Sequence, residues 1–212
     1  MLDNTIFGID CGATKVMAQS AFYDKKSNLI TPGKENLEFN YSDSINWDSY
    51  FTPKSIETQK KELDYGQIKI ARDEKKQAEV IVKTIKLVLS KIKSKDYGIC
   101  YPGIKNDKGI ILMANGPRIV DFFRQFPMIK SLYDDSYCCL MGEINSSIGK
   151  IKNQKNIMYI GGGTGIADGI IMDSKVINID EYPSLKKSWQ ILVNSKDTIE
   201  SYLSPKGILQ KW

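Results

Sequence analysis

The chain has 212 residues, enough for one large domain or two small ones with cores of their own. Hydrophobic residues make up 42% and charged residues 26%, and no apolar run approaches the ~20 residues that a membrane span needs. The net charge of +5 does not point to nucleic acid, because the lysines concentrate in 54–95 and alternate there with acids and apolar positions, as on a solvated helix face.

The opening MLDNTIFGID runs straight into a strand with no basic-then-apolar leader, so the cytoplasm is the expected compartment. The four cysteines, Cys11, Cys100, Cys138 and Cys139, form no CxxC pair, and the chain has no histidine. A disulfide framework and a metal site are both disfavoured, and a reducing compartment fits.

In chain order, 6–10 and 15–23 are apolar and β-rich and flank a small-residue turn, which predicts a hairpin. Residues 36–41 predict a third strand. The stretch 42–70 has no clear period and holds Asn46, Pro53 and Gly66, so it reads as loop with at most a short helix. The clearest helix is 71–95, where Ala78, Ile81, Val82, Ile85, Val88, Leu89 and Ile92 recur at steps of three and four. Short strands follow at 97–101 and 109–113. Residues 118–126 read as helix and 128–133 as a strand leading into Asp134-Asp135. A helix over 136–150, a strand at 156–160 and its hairpin partner at 169–176 complete a second, similar set.

Strand, glycine turn, strand thus occurs twice, in FGIDCGATK (7–15) and in MYIGGGTGIADGI (158–170). Such turns expose backbone N–H groups and can cradle phosphate oxygens without bulky side chains. The economical architecture is α/β, with two ribonuclease-H-like lobes around a cleft: 1–117 with the first turn, and 118–212 with the second.

The same residues resemble a known family. FGIDCGATK is similar to the first phosphate motif of the ROK sugar kinases, which have the actin-like ATPase fold of the actin/hexokinase/Hsp70 superfamily. MYIGGGTGIADGIIMDSKV is similar to their second phosphate motif, and DDSYCCLMGE (134–143) to their catalytic Asn-Asp segment and the helix after it. The resemblance implies ATP-dependent phosphorylation of a hexose or amino sugar, with Mg²⁺ as the cation, a small sugar as partner, no nucleic acid or membrane partner, and scope for a homodimer. Asp135 takes the place of the catalytic base. Asp10 takes that of the acid near the metal, acting through water. Gly12, Thr14 and Lys15, with Gly163, Thr164 and Gly165, take the phosphate-binding positions. Gly103, Asn115, Asp134, Glu181 and Glu200 fall at sugar-contacting positions. A first strand at the very start of the sequence would set the chain apart from the family's repressors, which carry a DNA-binding domain ahead of it.

Several departures matter. Ala13 stands where the family has a second glycine, and a Cβ at positive φ would cost ~1–2 kcal/mol. Asp168 replaces a glycine inside the second phosphate turn, where a carboxylate would repel a triphosphate unless the metal lay between them. Asp134 replaces a sugar-binding Asn, so an acceptor-only group stands where the family has a donor and acceptor. Ser184 stands in for a histidine, and with no His or Cys over 184–198 no structural zinc is expected. The chain also stops short of the family's usual length, so the second lobe is expected to be incomplete. The alternative is a degenerate ROK-like protein that binds sugar but transfers no phosphate.

Overall fold

The computed structural model describes residues 5–179, 182 and 184–211. They form two compact units: Lys25–Ile30 and everything after Asp134 cluster into the second, and the rest into the first. Segment 118–134, expected with the second lobe, packs into the first unit because Arg118 is buried there and Phe122, Phe126 and Ile129 belong to its core.

In the first unit, β1 (Thr5–Cys11), β2 (Lys15–Asp24), β3 (Leu29–Asn40) and β4 (Tyr97–Cys100) make one sheet in the order β3-β2-β1-β4. β1 pairs antiparallel with β2 and parallel with β4. Alternation explains the placement of β1. Phe7, Ile9 and Cys11 are buried on one face, while Gly8 and Asp10 face outward. β3 is longer than the 36–41 predicted and takes in Pro32 and Gly33. At a sheet edge the missing N–H of proline is tolerated. Gly33 is required there, since a Cβ would stand 2.3 Å from Ser20 Oγ.

Helix α1 (Ile56–Asp64) is capped by Ser55, whose Oγ accepts the Thr58 N–H at 3.2 Å. Helix α2 (Arg72–Lys91) turns Val80, Ile81, Ile85 and Val88 onto β2 and the core, and its lysines outward. Each of those side chains contributes ~1.5–3 kcal/mol by leaving water. Two short strands, β5 (Ile104–Lys105) and β6 (Ile110–Leu112), form a separate antiparallel pair. The helix predicted over 118–126 shrinks to α3 (Phe122–Gln125). The strand predicted over 128–133 is reduced to a parallel bridge between Cys100 and Tyr133.

The second unit holds α4 (Asp135–Asn145), packed on a meander of β7 (Ile157–Gly162), β8 (Ile166–Met172) and β9 (Lys175–Ile177). Leu140 of α4 lies over Gly169 of β8, where a Cβ would come within 3.1 Å of Leu140 Cδ2. Two short helices, α5 (Ile199–Leu203) and α6 (Pro205–Lys211), follow. Among the described residues, no helix is long and apolar enough to cross a membrane. Both predicted glycine hairpins are present, as β1–β2 and β7–β8.

Candidate functional site

In the first unit the candidates gather at the carboxyl end of β1 and β4. Asp10 is exposed there and sits in register with Cys100, whose thiol donates to Asp10 Oδ1 at 3.4 Å. The turn that follows is closed by Gly12 N–H donating to Lys15 O at 3.0 Å. Tyr41 straps it twice: its N–H donates to Thr14 O at 2.9 Å, and its hydroxyl donates to Gly12 O at 2.9 Å. The Tyr41 ring is fully buried and lies 4.9 Å from the Trp47 ring. Burial first, then nearby Tyr101, Cys11 and Asp10, push its ionisation far above the ordinary range, so the hydroxyl remains a donor.

Lys15 reaches Glu38 rather than the turn, with an ion pair of 2.8 Å on a half-exposed surface. Among the described residues, left-handed backbone occurs at Asn28, Asn153, Asp173, Ser174, Gly66 and Gly103. Ala13 is not one of them, so the strain expected of its Cβ does not arise.

Just beyond β4, Gly103 has φ +88°, and a Cβ there would stand 2.4 Å from Leu112 O. This glycine is demanded by the turn itself. Asp134 is fixed through its neighbour: Tyr133 N–H donates to Ile99 O at 3.1 Å, and Tyr101 N–H donates to Tyr133 O at 3.0 Å. Its carboxylate lies 3.9 Å from the Lys105 ammonium.

Asn115 is exposed in the loop after β6, and the loop is pinned on both sides. Gln59 accepts Met113 N–H at 2.9 Å and donates to Met113 O at 2.8 Å. Glu74 accepts the Arg118 N–H at 3.1 Å and its Nε at 2.8 Å, and Glu62 accepts Arg118 Nη1 at 2.7 Å. Arg118 is 1% exposed, so its charge is matched wholly by these two carboxylates and Lys69 O. Burial pushes the Glu62 carboxyl up, but bonds from Lys54, Arg118 and the Lys69 N–H outweigh it and hold it at about 2.

In the second unit, Asp135 is the first residue of α4, and its Oδ1 accepts Ser136 N–H at 2.8 Å. Cys139 and Glu143 follow on the same helix face. Tyr159 of β7 stands close enough to feel all three. Burial, then Cys139, Glu143 and Asp135, raise the ionisation of Tyr159. The second glycine turn is closed by Gly163 N–H donating to Gly165 O at 2.9 Å, and Gly162, Gly163 and Thr164 are exposed. The carboxylate of Glu200 accepts Ile166 N–H at 2.8 Å, which ties α5 to that turn. The capping box of Thr198 and Ser201 fixes the start of α5 and so aims Glu200.

Asp168 overturns its expectation. It belongs to β8, opposite Ile160, and is 6% exposed. Its carboxylate accepts both the N–H and the hydroxyl of Ser188, so it anchors a loop within its unit and is held away from the exposed turn. Glu181 lies outside the described residues.

Asp10, Gly12, Thr14, Lys15, Gly103, Asn115 and Asp134 therefore fall in the first unit, and Asp135, Gly163, Thr164, Gly165 and Glu200 in the second. Sequence reasoning missed Tyr41, Gln59, Glu74, Lys105 and Arg118. The first three fall in stretches with no motif or on a helix read as solvated, and only the contacts reveal them.

No protein-family model matches this chain, and no curated protein matches its sequence. Solved structures do match its fold. A candidate sugar kinase from Cytophaga hutchinsonii is 20% identical with a TM-score of 0.59, over 97% of this chain and 60% of that one. An inorganic polyphosphate/ATP-glucomannokinase from Arthrobacter sp. strain KM is 15% identical with a TM-score of 0.60, over 98% of this chain and 71% of that one. A ROK family glucokinase from Streptomyces griseus, in complex with glucose and AMPPNP, is 16% identical with a TM-score of 0.58, over 97% of this chain and 59% of that one. The chain thus shares the α/β fold of these structures, and it spans about three fifths of the length of the first and third of them.

Proposed function

We propose that the chain is a ROK-like sugar kinase, catalysing ATP-dependent phosphorylation of a hexose or amino sugar. The observation that carries this reading is the exposed Asp10 at the end of β1, directly before a backbone turn locked by Tyr41, in a chain that repeats the glycine hairpin at β7–β8.

The residues present fit a magnesium nucleotide. Gly162 and Gly163 have no protein atom within 4 Å of the place a Cβ would take, and their backbone is not left-handed. Packing does not demand glycine at either position, and close approach of phosphate oxygens would account for it. Asp10 would hold Mg²⁺ through water. Gly12, Thr14 and Lys15 would be the phosphate-contacting residues of the first unit, and Gly163, Thr164 and Gly165 those of the second. Mg-ATP supplies the phosphoryl group and the neutralising cation.

Asp135 would accept the proton of the attacking hydroxyl. In the first unit Gly103 would let a sugar lie against backbone and Asn115 and Asp134 would bond its hydroxyls, while Glu181 and Glu200 are the sugar-contact candidates of the second unit. The bond from Ile166 gives Glu200 a second part, bracing the phosphate turn from the sugar side. The Streptomyces griseus structure, holding glucose and AMPPNP, supports the pairing of these two ligands.

The test is turnover with Mg-ATP across a hexose and amino-sugar panel, for the parent and for Asp135→Asn. Abolished turnover in the variant, with sugar affinity kept within about tenfold, fits a base that acts in the transition state. Normal turnover in the variant removes Asp135 from that role. A parent that binds a sugar tightly but transfers no phosphate would establish the non-catalytic alternative.

A further inference from the structure

We propose that the free edge of β7 is a docking site for an extended segment of a partner polypeptide, which adds to the sheet of the second unit as a parallel strand. The inference goes beyond the kinase reading and depends on none of its site residues.

The chain carries its own template for this pairing. In the first unit, the leading strand of the glycine hairpin lies inside its sheet: β1 has β2 antiparallel on one side and β4 parallel on the other. The second unit repeats the hairpin, but its sheet runs β7-β8-β9, so β7 stands at an edge where β1 has β4. Such an edge offers a row of backbone N–H and C=O groups with no strand beside them, which is what a peptide needs to add by main-chain hydrogen bonds.

Other edges of the molecule are guarded, and this one is not. Charge, proline and shortness are the usual devices against pairing with another chain. β3, an edge of the first sheet, carries Pro32, Lys34 and Glu35, and β9 is three residues long and begins with Lys175. β7 reads IMYIGG and has none of these. Its flank is apolar as well. α4 covers one face of the meander, with Leu140 over Gly169, while on the opposite face Met158, Ile160 and Met172 are 63%, 49% and 50% exposed.

The template decides the occupant. A second copy would bring the same β7, and two-fold symmetry would make that pairing antiparallel, unlike the pairing of β1 with β4. A parallel strand therefore comes from a different sequence. Because parallel strands are buried on both faces, the segment that fits is uncharged, and apolar at the alternate positions that extend the face of Met158 and Ile160.

The probe is a synthetic peptide of residues 95–102 (KDYGICYP), which contains β4, the strand of this chain that pairs parallel to a hairpin's leading strand. Hydrogen exchange of the full chain is measured with and without it under reducing conditions, and sedimentation reports self-association. The peptide is expected to slow exchange in β7 at least tenfold and to leave β9 unchanged. A spin label on its N-terminus is expected to broaden Ile157 rather than Gly162, as a parallel strand requires. Ile160→Lys, which places a charge at a half-exposed position, is expected to weaken peptide binding at least tenfold with thermal stability kept. No protection of β7 by the peptide would overturn the docking edge, as would a monomer whose β7 is already fully protected. Broadening at Gly162 would overturn the parallel pairing. Self-association that protects β7 without peptide would make a second copy the occupant and overturn the partner.

Discussion

The Asp168 carboxylate holds Ser188 with both oxygens, one taking the backbone N–H at 2.9 Å and the other the hydroxyl. This pins the loop after residue 184 onto β8. Removing the carboxylate leaves a buried N–H and a buried hydroxyl without their acceptor. Bonds to a charged group contribute ~1.5–3 kcal/mol each, and part of the loss is recovered by relaxation. Asp168→Gly is therefore expected to destabilise the protein by about 2–3 kcal/mol in urea unfolding. Mg-ATP affinity of the folded variant should stay at the parent's level. Tighter nucleotide binding would return Asp168 to the phosphate site.

Gly103 and Leu112 make a second such constraint. With φ +88° and Leu112 O only 2.4 Å from a would-be Cβ, any side chain at 103 meets both a backbone penalty and a clash with a carbonyl that cannot step aside. Gly103→Ala should cost more than the ~1–2 kcal/mol of the left-handed backbone alone. Its effect on stability should exceed that of Gly162→Ala, whose Cβ enters open space. Equal melting temperatures for the two variants would contradict this.

Much of the fold was legible because it follows from periods of two and of three to four. The alternation in β1 and the spacing of Val80, Ile81, Ile85 and Val88 specify a strand and a helix before any contact is known. The misreadings share one cause: tertiary contacts overrode local pattern. The third strand is read only over 36–41, and its extension through Gly33 shows once Ser20 is seen filling the space a Cβ would need. Arg118 looks like the start of a surface helix until Glu62 and Glu74 enclose it. At the candidate site the backbone motifs were visible, whereas the side chains that hold them rigid were not. Tyr41 and Gln59 meet residues 29 and 54 positions away, partners that no motif or local period names.

The Arg118 cluster also sets an acid limit. Glu62 is held at about 2, below its ordinary 4.5, so its contribution to stability is complete above 4.5 and is lost as pH falls towards 2. Unfolding curves should show stability dropping through that window, and Glu62→Gln should flatten the drop. Arg118→Leu should be severe, on the order of 3–5 kcal/mol, because it leaves Glu74 buried without its cation. The combined Arg118→Leu/Glu74→Leu variant should recover part of that loss, which separates an unpaired charge from a simple packing defect.

Tyr41 gives the sharpest link between fold and proposed function. Tyr41→Phe keeps the ring, its burial and its contact with Trp47, and deletes only the hydroxyl that donates to Gly12 O. The stability cost should be about 1 kcal/mol, the usual net value of one buried hydrogen bond, with the core otherwise intact. If the first glycine turn receives phosphate, loosening it should also weaken Mg-ATP binding several-fold, while sugar affinity stays near the parent's. The bond from Tyr41 N–H to Thr14 O survives the substitution, so the turn is slackened rather than released. Calorimetry of Mg-ATP and sugar on the parent and the variant separates the outcomes. A selective nucleotide loss ties the strap to the phosphates. Unchanged nucleotide affinity would mean that the Thr14 bond alone fixes the turn, and that the Tyr41 hydroxyl serves only the stability of the first unit.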